Sequence, residues 1–409
     1  MVDFDDRQCA AFQGQKAMAD IILAWISALL RWTHLVAGIA WIGSSFYFIA
    51  ADLNLRPNPA LPPGVKGETW QVHGGGFYHI EKYLVAPHHL PTELTWFKWE
   101  AYSTWIFGFL LLVATYYLNP TLYLIDAEVA PLLPWQAVAI SLGSLALGWI
   151  LYDLICRSSL GRSTVTLTFA VAVLLAIASE GYLRLFGGRA AFLHIGALIG
   201  SLMVGNVFFI IIPNQKKTVA TLLAGGVPDP RFGAQAKQRS LHNNYLTLPV
   251  LFLMVSNHYP MSFGPGQARL TLAGLFLAGF LVRHFFNMKH AGERPHPWLW
   301  PAAGSVMAGV IAVSLPWSGH AGRTVATLAE VQPIIAARCV TCHAAMPSFA
   351  GLTEAPKGIR LETAEEIIAH AAEIREQVVV QRAMPMGNLT QITEQERAVI
   401  AAWVAGGAQ

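Results

Sequence analysis

Apolar residues run in long, nearly uninterrupted stretches between residues 20 and 316, and then the pattern stops. Eight stretches come close to or exceed the roughly 20 residues needed to cross a ~30 Å hydrocarbon core: 24–51, 99–119, 134–154, 163–183, 190–212, 242–259, 267–288 and 298–316. They predict transmembrane helices, since a helix satisfies its own backbone polar groups where no water is present. From residue 320 the chain turns to short amphipathic segments rich in Glu. The expected fold class is all-α. A polytopic membrane bundle of about eight helices occupies residues 1–319, and a globular domain follows at 320–409.

Composition agrees. Charged residues make up 12% and hydrophobic residues 54%, whereas soluble domains carry about 25% charge; a wholly soluble enzyme is excluded. A net charge of +3 without a basic stripe gives no reason to expect nucleic acid as a partner. Asp3, Asp5 and Asp6 stand where a secretory signal would be basic, so the first span reads as a retained helix in the lipid bilayer.

Orientation follows from Lys and Arg, which are retained on the cytoplasmic side. The loops 52–98, 155–162, 213–240 and 289–297 hold thirteen of them, against two in the loops 120–133, 184–189 and 260–266. With eight spans, both termini are expected outside, in the periplasm of a bacterial inner membrane.

The tail contains Cys339-Val340-Thr341-Cys342-His343, the C-x-x-C-H pattern of covalent haem c attachment. Two thiols three residues apart on one helical turn reach two vinyl groups of one porphyrin, and the adjacent His343 is held beneath the iron. A redox dithiol and half of a zinc site are the alternatives; the remaining cysteines, Cys9 and Cys156, lie too far along the chain to complete a zinc site. Helices are expected at 329–337 and at 393–404, the latter opened by a Thr393/Glu396 capping box. The pair resembles the crossing helices of small class I cytochromes c. A ligand Met followed by Pro in an extended loop resembles the same proteins, which favours Met384 over Met386 as the sixth iron ligand, while Met346 reads as packing. Haem is attached to such proteins outside the cytoplasm, in agreement with the loop charges.

Ionisable residues inside spans are costly and usually face a bundle interior. Here they are Arg31, His34, Asp153, Glu180, His194, His242, His258, Arg283 and His284. Gly38 lies one turn beyond His34 and leaves room for a flat ligand. His34, His194, His258 and His284 are candidates for an intramembrane haem b, a proton relay, substrate contact or satisfied polar packing. The 52–98 loop holds His73, His79, His88 and His89 without compact metal-ligand spacing, and its Gly74–Gly76 run is no phosphate loop. The loop is expected to be a functional or partly helical insertion. His242, Asn243 and Asn244 stand where a loop meets the sixth span, and are read either as contacts to a heterocycle or as a helix start capped by Asn.

Eight spans joined to a haem-binding tail, with His242-Asn243-Asn244-Tyr245-Leu246-Thr247-Leu248-Pro249 and Ser256-Asn257-His258-Tyr259-Pro260 in the sixth span, resemble the bacterial membrane-bound, cytochrome-c-linked urate oxidases (urate hydroxylases). The resemblance covers nearly the whole chain. It implies oxidation of urate to 5-hydroxyisourate with oxygen taken from water, and electrons passed through the tail to a periplasmic cytochrome c or terminal oxidase. Only Cys339, Cys342, His343 and Met384 carry over residue by residue. A urate site at the cytoplasmic end would lie a ~30 Å apolar core away from the tail and would need a redox centre in between; a site on the tail's side would not. The competing readings are a quinol-to-cytochrome c electron-transfer module with no purine substrate, and a transporter or sensor governed by haem redox state.

Overall fold

The computed structural model describes residues 5–83, 90–264, 266–315, 326–349 and 352–409. The 319/320 boundary, the end of the eighth expected span, and Pro87, His88 and His89 lie outside the described residues. Helix α1 (Asp5–Leu53) is followed by a hairpin of β1 (Val65–His73) and β2 (Gly76–Tyr83). Next come α2 (Trp99–Leu112), which continues as a wider π-turn over Val113–Tyr117, and α3 (Pro120–Tyr123), α4 (Pro134–Arg157) and α5 (Thr164–Leu185). Helix α6 (Gly188–Gly205) runs through a second π-turn, Asn206–Ile211, into α7 (Ile212–Leu223). Then follow α8 (Pro230–Val255), α9 (Ala268–His290) and α10 (Leu299–Ser314). The tail holds α11 (Leu328–Arg338), α12 (Ala364–Ala369), α13 (Ala371–Ile374) and α14 (Glu394–Ala405).

Five described helices are long and apolar enough to cross a membrane: Ile21–Leu53, Pro134–Arg157, Thr164–Leu185, Gly188–Leu223 and Ala268–His290. The other three expected spans are helical, but α2 and α10 are shorter, and α8 starts with the polar segment 230–245. Helix α6 is mostly apolar and largely buried, and takes the centre, packed by α2, α4, α5 and α8. Small residues allow this closeness, as is general where lipid tails supply no hydrophobic drive between helices. A Cβ at Gly205 would fall 2.6 Å from the Trp149 ring. Large exposed apolar side chains on α1, α4 and α5, among them Trp25, Ile39, Leu154 and Phe169, form the outer surface suited to lipid.

Two expectations need correction. The chain is not purely helical: residues 65–83 form an antiparallel hairpin with His73 opposite Gly76, and Gly74 and Gly75, both at positive φ, make its two-residue turn. Such turns demand left-handed backbone at both central positions, which is why the glycine run stands there. And His242–Tyr245 is no helix start. Helix α8 begins twelve residues earlier, at Pro230, where the Asp229 side chain caps the Arg231 N–H at 2.8 Å.

The loops sort to two ends. Arg56 donates to the His290 carbonyl, Asp52 pairs with Lys82 and lies near Lys237, and Gln238 donates to the Gly161 carbonyl, which gathers the four basic loops. At the opposite end Asp126 lies against Gly187, Phe263 against Gly188, and Arg269 pairs with Glu180. The tail sits at this second end. Gly387, at φ 57°, rests on α3, and a Cβ there would lie 2.8 Å from the Ile125 carbonyl oxygen.

The tail has its own core of Val331, Ile335, Leu361, Ile367, Ile374, Ile400 and Trp403, with α11 packed on α14. Capping boxes start three of its helices: the carboxylates of Glu330, Glu366 and Glu396 reach back to the N–H groups of Thr327, Thr363 and Thr393. Trp403 is fully buried, so Trp403→Ala is expected to cost about 3–5 kcal/mol; urea titration with limited proteolysis of the tail in the intact protein measures the loss. Burial works against the charge of Glu396, but the Thr393 N–H and the Arg338 guanidinium outweigh it and hold the carboxyl below its ordinary 4.5. The stability this confers is present above that pH and disappears as pH falls through the lowered value. Glu396→Gln is therefore expected to flatten the acid limb of the tail's pH–stability curve.

Candidate active site

Helix α8 carries polar residues into the bundle on two sides. On one, the His242 ring hydrogen-bonds the Tyr152 hydroxyl at 2.7 Å. Asn206, at the start of the second π-turn, donates to Tyr152 at 3.0 Å and to Asn243 at 2.9 Å, while Asn243 donates to the Met203 carbonyl at 3.0 Å. Buried Arg239 pairs with Asp153 at 2.6 Å and donates to Asn206 at 3.2 Å. His242 and Asn243 thus tie α4, α6 and α8 together.

On the other side, Asn287 donates to Asn244 at 2.9 Å and accepts from Arg283 at 3.3 Å. Arg283 stands over the Phe46 ring at 4.1 Å. The Asn244 amide N–H2 and the Arg283 Nε have no hydrogen-bond partner among the described residues. Tyr245 hydrogen-bonds His284 at 3.0 Å.

The remaining histidines are also engaged. His34 donates to the Thr104 carbonyl at 2.8 Å, and its ring lies against Gly108, where a Cβ would come within 2.7 Å. The glycine that makes room for this imidazole is therefore on the facing helix, whereas Gly38 lies beside Thr104. His194 is fully buried, donates to the Ala190 carbonyl at 2.7 Å and accepts from Ser141 at 2.7 Å. Partners occupy both nitrogens of His194 and one each on His34, His242 and His284. In the hairpin, His79 bonds Glu68 at 2.5 Å and stacks on Trp70. No cluster of three or more metal-ligating side chains occurs among the described residues.

In the tail, the arrangement fits a covalently held haem. Cys339 and Cys342 follow directly on α11 as free thiols. His343 Nδ1 donates to the Ile359 carbonyl at 2.9 Å, which sets the tautomer and leaves Nε2 for iron. Met384 is held at both ends of its residue: its N–H donates to the Gln377 carbonyl at 3.1 Å, and its own carbonyl accepts from Arg397 at 3.1 Å. Arg397 is buried and also donates to the Val378 carbonyl. Burial pushes the Cys339 thiol up to about 12, whereas a dithiol exchange site needs a lowered value. Between tail and bundle lies a cavity of about 850 Å³, with Met384 and Met386 on one wall and Asn257 and His258 on the other.

A family model described as urate oxidase N-terminal matches residues 20–315. The chain belongs to the urate oxidase N-terminal family. The match covers the whole bundle and stops before the tail. No curated protein and no solved structure matches the chain.

Sequence reading found His242, Asn243 and Asn244 but missed Tyr152, Asn206 and Asn287, which complete the networks of this urate oxidase family domain. Asn206 had a signal: a lone amide inside the apolar run 198–212. Asp153 neutralises the buried Arg239, and removing one partner of such a pair costs about 3–5 kcal/mol. Asp153→Asn is expected to lower the melting temperature of the detergent-solubilised protein, and adding Arg239→Met to recover much of the loss.

Proposed function

We propose that the protein is a membrane-bound urate hydroxylase whose electrons leave through a c-type haem on its tail. The observation that carries this reading is the joining, in one chain, of a urate oxidase family domain with a C-x-x-C-H segment whose His343 is already oriented by Ile359. The reaction balances as urate plus water giving 5-hydroxyisourate, two protons and two electrons. It calls for a pocket that holds a planar anion, a group that takes a proton from water, and an electron acceptor close by.

Cys339 and Cys342 would hold the haem through thioethers, with His343 and Met384 as axial ligands and Met386 as the alternative to Met384. When bound, the haem supplies a one-electron acceptor that is filled twice per turnover and drained to a periplasmic cytochrome c or terminal oxidase. Arg397 and Gln377 keep the Met384 backbone in place, and Arg338, which donates to the Thr390 carbonyl and pairs with Glu396, braces the helix end that carries Cys339. Thirteen basic residues at one end of the bundle, with the tail at the other, support a multi-pass protein whose tail faces the periplasm. The family match favours urate over quinol as the reductant.

The test is anaerobic. Purified holoprotein given urate, without oxygen, is expected to develop the reduced α-band of c-type haem, and quinol is expected to leave the band unchanged. Cys339→Ala with Cys342→Ala should lower urate-dependent reduction of an external cytochrome at least ~100-fold. An oxidised spectrum after prolonged incubation with urate would refute the proposal.

A further inference from the structure

The urate reading leaves open which face of the bundle receives the substrate. The buried cluster of Asn244, Asn287 and Arg283 lies toward the basic end, remote from the tail. The cavity between tail and bundle differs in three respects. Its volume, about 850 Å³, falls within the ~300–1,000 Å³ of small-molecule sites. Of the five cationic side chains on its wall, Arg269 and Arg382 are paired with Glu180 and Glu394, which leaves Arg189, Lys357 and Arg397 beside Asp126 and Glu128, a small positive excess that suits a monoanion. And Met384 forms part of it, so a ligand held there lies against the side chain assigned to the iron.

Three bundle residues converge on it with unused hydrogen-bonding capacity. Arg189 spends one N–H on the Asn257 carbonyl, at 3.3 Å, and pairs with no carboxylate among the described residues. Asn257 accepts from Tyr116 at 3.5 Å through its side-chain oxygen, which leaves its amide N–H groups free. His258 is exposed to the cavity and forms no hydrogen bond with a described residue. The carboxylates are Asp126, which accepts from the Glu128 N–H, and Glu128. Phe263, partly exposed, adds aromatic surface on which a purine can stack.

We propose that this cavity is the urate site: Arg189 and Asn257 bind the urate anion, and His258 takes a proton from the attacking water. The assignment rests on the urate reading. It removes the need for a redox centre inside the bundle, because substrate and acceptor share one compartment on the tail's side. Arg189 presents a flat fork of N–H donors to carbonyl oxygens of the heterocycle, a geometry Lys does not reproduce. The bound urate anion and water give neutral 5-hydroxyisourate, one proton and two electrons; neutral His258 takes that proton and both electrons leave toward the tail.

The test uses full-length holoprotein, prereduced so that no turnover occurs, with radiolabelled urate in equilibrium dialysis. Wild type is expected to bind one urate, Arg189→Met and Asn257→Leu to weaken binding roughly tenfold, and Arg189→Lys to fall between. His258→Gln is expected to bind within about threefold of wild type yet to slow haem reduction by about 10²-fold or more, a split between binding and rate that a merely structural role would not produce. Unchanged α-bands and melting temperatures keep misfolding out of the comparison. In sealed vesicles with the tail outward, external urate alone should reduce the haem. Wild-type binding in Arg189→Met and Asn257→Leu, or reduction only by urate trapped inside, overturns the site while leaving urate oxidation standing. Wild type that neither binds urate nor is reduced by it overturns both.

Discussion

Helix α6 is enclosed on every side, and most of the bundle's design answers to that enclosure. A helix with no face toward water or lipid must be approached closely by its neighbours, so glycines stand wherever a bulky partner crosses, as Gly196 does beneath Leu253 and Gly205 beneath Trp149. Any polar group in such a place must be satisfied by another protein group, because no water is at hand. Asn206 and His194 obey this rule through partners on α4 and α8, and those partners fix how the helices are rotated against each other. The π-turns at 113–117 and 206–211 carry Tyr116, Tyr117 and Asn206, each of which meets a polar neighbour on another element.

Polar groups in the bundle therefore fall into two sorts. His242, Asn243 and Arg239 are bonded to groups on neighbouring helices and act as struts between them. Arg189, Asn257 and His258, at the opposite end, keep capacity in reserve and face an open volume. Spare hydrogen-bonding capacity beside a cavity separates a site from a strut, and burial alone does not.

The junction between bundle and tail is built from backbone. Gly387 sits on the α3 carbonyls in a conformation and at a distance that a side chain would disturb, and the loop it belongs to begins at Met384. Positioning Met384 and seating the tail on the bundle are thus tasks of one short segment, 384–388. Arg397 reaches the same loop from α14, so the tail's own core and its contact with the bundle are mechanically connected.

Residue order alone carried the division into an apolar bundle and a polar tail, the contrast in charge between alternate loops, the C-x-x-C-H segment and the tail's last capping box. Each of these depends on neighbours in the chain or on the average character of a segment. The glycine run in the 52–98 loop was read as having no phosphate role, but its use as a hairpin turn appeared only once two strands were paired across it. Which polar residues are struts and which line a cavity was likewise out of reach of the sequence: His242 and His258 look alike in a list of residues, and only the packing decides that one meets Tyr152 while the other meets open space. Partners for Asn206 and Arg239 lie 33 to 86 residues away, at separations set by how helices cross. Local pattern determines what each segment is; the crossing of helices, settled by close packing around α6, determines which segments meet.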